Sequence, residues 1–174
     1  MITNGYLVST YNETGTLLVH KYDGKQLTYF HNSSTIQCKR FRYPYIITLH
    51  RDGVLQIINC ENRQGCVQHQ LELSMTKDVH CILFESPKLY LVSVKQMLIF
   101  DFPVAEDPVV IPIEGLSLSR ILEEGTSLMG PNRILLAGNF QFQVFSFDEK
   151  GKKLRKRRLS DDRHKAGIDC EYSK

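Results

Sequence analysis

Short apolar runs arrive in pairs along this chain, and the pairs recur at a nearly fixed interval. The runs Tyr6-Leu7-Val8-Ser9, Tyr45-Ile46-Ile47-Thr48, Tyr90-Leu91-Val92-Ser93 and Arg133-Ile134-Leu135-Leu136 have nearly the same shape. Taking Leu7, Ile46, Leu91 and Leu135 as equivalent gives spacings of 39, 45 and 44 residues. A turn signal and a second apolar run follow each: Leu17-Leu18-Val19, Val54 to Ile58, Met97 to Phe100, and Phe142 to Phe145. Asp52-Gly53 is the clearest of the turns, with Gly53 expected at a positive φ and Asp52 in a turn role. Asp-Gly between two β-type runs is a strong hairpin signal. A repeat of this length must be settled first, because it dictates the architecture.

Weaker runs complete each unit. A third run stands at Leu27 to Phe30, Val67 to Leu71 and Val109 to Ile111, and a fourth at Ile36 to Phe41, Val79 to Phe84 and Leu118 to Leu122. The result is about four units of four antiparallel strands, an all-β chain whose first unit is incomplete because it starts directly on a second strand. The composition agrees, with 8 Tyr and 9 Phe among many β-branched residues, types that suit pleated, half-buried surfaces. A sheet apolar on both faces is not stable alone in water and must stack on its neighbours. The continuous run Leu89-Tyr90-Leu91-Val92 predicts a strand buried on both faces. The alternation Leu55-Gln56-Ile57 predicts an edge or outer strand.

Over residues from about Gly5 to Lys153 the chain resembles the WD40 family of β-propellers. Tyr22-Asp23, Phe100-Asp101 and Phe147-Asp148 stand where that family ends its third strand in an aromatic-Asp pair, and the second unit has Asn59-Cys60 there. No Gly-His pair precedes a unit and no Trp is present, so the hydrogen-bonded tetrad of that family is not expected. Degenerate repeats of this kind are similar to the substrate-recognition parts of F-box proteins. Closed propellers have about four to eight blades, so the expectation is a β-propeller-like, incomplete or open set of blades over residues 1–151. A disordered basic tail over 152–174 is expected to follow.

The charge of +3 is unevenly placed: Lys150 to Lys165 carries nine Lys or Arg against two Asp, leaving the rest at −4. The body therefore offers no general positive field for nucleic acid. Such attraction is confined to the cluster Lys152, Lys153, Arg155, Lys156, Arg157 and Arg158, a pattern of the nuclear-import or nucleic-acid type. Ser160 follows as a candidate phosphorylation site for a basophilic kinase, where phosphate would oppose the cluster. The five cysteines are odd in number. With no basic, then apolar, leader at the first residues, they predict reduced thiols in the cytosol or nucleus. No apolar run approaches the roughly 18 residues that span a bilayer.

Catalytic patterns are missing from the sequence: there is no phosphate-binding glycine loop and no nucleophile elbow. Cys60, Cys66, His69, His80 and Cys81 invite a zinc reading. However, Cys-x5-Cys is wide for a closed site, and neighbouring strand residues point to opposite faces. Cys38 and Cys81 are instead expected as small buried apolar residues. No metal, cofactor or catalytic residue is assigned. The expected function is a non-enzymatic protein–protein interaction scaffold, the substrate-recognition part of a larger complex such as a ubiquitin ligase. Its cytoplasmic or nuclear partner would be met by loop residues Arg42, Tyr43, His50, Arg51 and Asp52, with His50 read as a surface histidine. Arg and Tyr are enriched at interface hot spots. The alternative is a nuclear factor touching nucleic acid or acidic partners through the basic tail.

Overall fold

The computed structural model describes residues 2–3, 6–21, 27–62, 66–104, 107–113, 121–122, 125–130, 132–138, 142–147 and 155–158. The chain divides into two compact units, Met1–Leu116 and Ser117–Lys174. In the first unit, β1 (Ile2–Thr3), β2 (Tyr6–Tyr11), β3 (Thr16–Lys21) and β4 (Leu27–His31) form one sheet in that order. The second sheet is β5 (Ile36–Arg42), β6 (Tyr45–His50), β7 (Val54–Asn59) and β8 (Cys66–Gln70). A short helix α1 (Leu73–Thr76) leads to the third: β9 (Val79–Glu85), β10 (Lys88–Ser93), β11 (Gln96–Asp101) and β12 (Val109–Pro112). The second unit holds one sheet, β13 (Ser127–Leu128), β14 (Arg133–Ala137), β15 (Phe142–Ser146) and β16 (Arg155–Arg158).

Four sheets of four sequential antiparallel strands are thus present among the described residues, as the repeat requires. Three expectations are corrected. The first sheet is not short of a strand, since Ile2 and Thr3 pair with Leu7 and Tyr6. The fourth sheet opens at Ser127–Leu128 rather than in the run Leu118 to Leu122. There Leu122 instead donates its N–H to the Ala137 carbonyl at 2.8 Å, and 118–120 lie outside the described residues. Arg155–Arg158 are a strand paired with Gln143–Ser146, not part of a disordered tail. Lys152, Lys153 and Ser160 lie outside the described residues.

The register fixes which positions correspond. The opening residue of each second strand faces the last residue of each third: Tyr6 with Lys21, Tyr45 with Asn59, Lys88 with Asp101, Arg133 with Ser146. Three matching backbone bonds close these hairpins: Cys60 N–H to Pro44 at 2.9 Å, Phe102 to Pro87 at 2.7 Å and Phe147 to Asn132 at 2.9 Å. Ile46 therefore corresponds to Leu89 and Ile134, not to Leu91 and Leu135. Leu91 lies two residues on and keeps its face. Leu135 lies one residue on, and a slip of one places it on the other face. For the same reason Phe102, and not Phe100, matches Phe147, so the aromatic-Asp pairs do not stand at one structural position. Tyr22, Asp23 and Asp148 lie outside the described residues.

Both faces of the second sheet are buried. On β6, Ile47 and Leu49 join Leu55 and Ile57 of β7 and Leu89, Leu91, Leu98 and Phe100 of the third sheet in one core cluster. Ile46 and Ile58 point the other way, onto Val8, Leu17 and Val19 of the first sheet. Leu89 to Val92 are all buried, the doubly covered strand expected. The reading of β7 as an outer strand is corrected: Gln56 is 2% exposed, held in a polar network described below. Outer positions fall to β8 and β12, where Val67 is 49% and Val109 48% exposed. Gln37 ties the second sheet to the entry of the third, its Nε2 donating to the carbonyls of Thr76 at 2.9 Å and Val79 at 2.7 Å.

Candidate functional site

The five loop residues singled out above do not share a surface. Arg42 and Tyr43 lie at the β5–β6 turn, whereas His50, Arg51 and Asp52 lie at the β6–β7 turn. The intervening strand β6 has six residues, which at about 3.3 Å per residue separates the two ends by roughly 17 Å. Two candidate surfaces result, and they are built differently.

At the β5–β6 end, Tyr43 donates its phenol hydrogen to Glu61 Oε1 at 2.5 Å, across to the β7–β8 turn. That bond to Glu61, with smaller contributions from burial and the carboxylate charge, pushes the phenol up to about 12. Tyr43 therefore stays a protonated donor at any physiological pH. Its ring meets Tyr6 of the first sheet with centroids 5.9 Å apart and planes tilted 41°. In a second aromatic group Tyr45 packs edge-on to Phe84 and Phe102, which are tilted to each other by 58°, with centroid distances of 4.8 to 5.8 Å. Offset and edge-on pairs of this kind hold rings rigidly. Arg42 is exposed, and no carboxylate among the described residues is within ion-pair distance of it. Sequence reading missed Tyr6 and Glu61. The available signal for Tyr6 was that it opens β2 as Tyr45 opens β6.

The β6–β7 end is committed to structure. His50 is 0% exposed, a correction to its reading as a surface histidine. It is the last residue of β6 and is covered by the loop before β5. Its Nδ1 lies 2.9 Å from the Ser34 carbonyl, which only accepts, so Nδ1 carries the proton. Nε2 then accepts from Thr48 Oγ1 at 3.1 Å. Gln56 Oε1 stands 3.5 Å from the same hydroxyl, and Gln56 Nε2 donates to Cys66 Sγ at 3.3 Å. The second sheet thus contains a buried hydrogen-bonded set. Asp52 acts as foreseen: Oδ1 accepts from the Val54 N–H at 3.2 Å, and Gly53 has φ +85°. Its N–H is bonded to Ser34 Oγ at 3.1 Å and its carbonyl to Gln70 Nε2 at 2.8 Å. Arg51 alone of this trio is exposed.

Tyr43, Cys60, Cys66 and Tyr90 are shifted away from nucleophilic chemistry. Burial, assisted by Glu61, pushes the Cys60 thiol up to about 11, and burial also raises Cys66, opposed by the Gln56 bond. Burial with Glu85 raises Tyr90. An activated nucleophile needs the opposite displacement. Cys38 and Cys81 are 4% and 0% exposed, small apolar fillers as expected. No group of three or more His, Cys, Asp or Glu among the described residues is placed to hold a metal ion.

No protein-family model and no characterised sequence matches this chain. Its fold does match solved structures. Streptogramin B lyase superposes with a TM-score of 0.65 at 10% identity, over 90% of this chain and 52% of that one. Sqt1 of Saccharomyces cerevisiae gives 0.64 at 12% identity, over 86% and 44%. The computationally designed Ika8 protein gives 0.63 at 14% identity, over 90% and 47%. The chain spans about half the length of these three proteins, and at such identities the likeness concerns the fold. That fold is β-propeller-like.

Proposed function

We propose that this chain is a non-enzymatic protein-interaction module, the recognition part of a larger cytoplasmic or nuclear assembly, and that partners meet it through the β5–β6 end. One observation carries the reading. Tyr43, Tyr6 and Glu61 form an aromatic and charged cluster at the turns of packed sheets, and Arg42, next to Tyr43 in the chain, is exposed and free of a carboxylate partner among the described residues. Rigid aromatic anchors beside an unpaired guanidinium are what interface hot spots are made of. Raised thiols and phenols at the same end argue against covalent catalysis there. Arg51 remains the sole surface candidate of its own turn.

A photo-reactive side chain placed at position 43, and separately at 51, tests this. Cross-links to a defined partner are expected from position 43, and their loss on Arg42→Glu. Recovery of the same partner from position 51, unaffected by Arg42→Glu, refutes the proposal. The second reading rests on β16. Four consecutive basic residues stand in an extended edge strand, a form that tracks a phosphate backbone. It requires DNA affinity that falls with salt at about −0.9 in log–log slope per phosphate neutralised. That affinity must vanish when Arg155, Lys156, Arg157 and Arg158 become Gln.

A further inference from the structure

Between the second and third sheets lies a groove of about 430 Å³ that none of the functional readings above uses. Phe100 and Val104, both buried, and the half-buried Leu71 and Pro108 supply apolar wall, while His69 and the exposed Asp107 bring polar groups. Along one side runs β8, which among the described residues pairs with β7 alone and is the end strand of its sheet. Val67, Gln68 and Gln70 on it are exposed. An end strand carries unpaired N–H and C=O groups, a template on which an extended chain can add. Gln70 Nε2 is not available to a ligand, since it already donates to the Asp52 and Leu71 carbonyls.

Charge selects the occupant. The described residues of 66–76 and 101–113, which flank the groove, contain Glu72, Asp101 and Asp107 and no Lys or Arg, within a chain of net charge +3. Asp101 is already paired with Lys88 at 2.5 Å. Asp107 has no ion pair or hydrogen bond among the described residues and lies on the groove. A groove of mixed lining, with Leu71, Phe100, Val104 and Pro108 beside the Asp107 carboxylate, suits a long cationic side chain, whose methylenes lie on the apolar wall while its head meets the acid. We propose that this groove takes an extended basic segment of a partner protein, added as a fifth strand along β8 with a Lys or Arg side chain directed at Asp107. This deepens the interaction-module reading and rests on it, but uses a different surface from the Arg42–Tyr43 cluster.

A labelled short peptide alternating Arg with Thr, and its counterpart with Glu for Arg, provide the test by fluorescence anisotropy on the whole chain. The Arg peptide is expected to bind and the Glu peptide not to. Asp107→Lys is expected to weaken the Arg peptide at least about threefold, while cross-linking from position 43 is unchanged. Strand addition is read separately, as slowed amide exchange at alternate residues of Val67 to Gln70. Equal binding of both peptides, indifference to Asp107→Lys, or protection without alternation overturns the proposal. So does self-association abolished by Gln replacement of Arg155, Lys156, Arg157 and Arg158, which would seat a second copy in the groove. Loss of cross-linking at position 43 with peptide binding intact would sink the Arg42–Tyr43 reading instead.

Discussion

The buried set Thr48–His50–Ser34 should hold the β6–β7 end as one unit, and a double-mutant cycle measures how strongly. Thr48→Val keeps the shape of the side chain and removes the hydroxyl, so His50 Nε2 loses the donor 3.1 Å away. With His50 0% exposed, no water replaces it, and the unmet acceptor costs about 1–2 kcal/mol. His50→Leu strands the Ser34 carbonyl, which now lacks the Nδ1–H at 2.9 Å. The freed Thr48 hydroxyl retains a contact with Gln56 Oε1 at 3.5 Å, which softens the loss to about 2–4 kcal/mol. Either change breaks the same Thr48–His50 bond. The double variant should therefore fall short of the sum by about 1 kcal/mol. Native-state amide exchange read at Ile47 and Leu49 reports opening of this sheet without assuming that both units unfold together. Additivity within about 0.3 kcal/mol, or a neutral Thr48→Val, would show that the polar set is incidental to stability.

Gly15 has φ +63°, and a Cβ there would lie 2.2 Å from the Ser34 carbonyl oxygen and 2.3 Å from that of Asn32. Gly15→Ala should lose more than about 2 kcal/mol, from left-handed strain plus displacement of backbone, measured by urea unfolding. Leu49→Ala empties a fully buried position in the core cluster between the second and third sheets and should lose about 3–5 kcal/mol in the same assay. Val67→Ala at 49% exposure should lose under about 1 kcal/mol. Cys60, raised from an ordinary 9.0 to about 11 chiefly by burial, should carry about a hundredfold less thiolate at pH 8 than a free thiol, so iodoacetamide labels it slowly. Because the folded form keeps a proton that the unfolded thiol releases near pH 9, stability should fall between about pH 9 and 11. Rapid alkylation at pH 8 would contradict the burial of Cys60.

The paired runs and turn residues were legible because hairpins announce themselves locally. Gly53 at φ +85° and the fully covered Leu89 to Val92 follow directly from composition and spacing. Register was not legible. Where each residue of a run is apolar, as from Leu89 to Val92, nothing in the letters marks which one aligns with Ile46, and only the pairing of Lys88 with Asp101 decides it. The two-residue strands Ile2–Thr3 and Ser127–Leu128 are too short for any periodicity. The basic run hid a strand for a different reason: the outer edge of a sheet does not require apolar residues, and charge there discourages edge-to-edge pairing. Charge patterning therefore described Arg155–Arg158 correctly as cationic and wrongly as unstructured.

The candidate site was half legible for a related reason. A polar residue next to a tight turn reads as exposed, yet the fate of His50 is set by Ser34, which is 16 residues away and supplies the carbonyl its Nδ1 needs. Burial of a histidine, a glutamine and a threonine on one face is tolerable only when their polar atoms satisfy one another, and the β6–β7 end uses its polar side chains for that. Asp52 is spent likewise on its own turn. At the other end the hydrogen bond runs between surface groups, Tyr43 to Glu61, and leaves an exposed guanidinium beside two half-buried tyrosine rings. Two turns that look alike in the sequence therefore differ in what they have left to offer a partner, and the difference follows from which of them must satisfy buried atoms first.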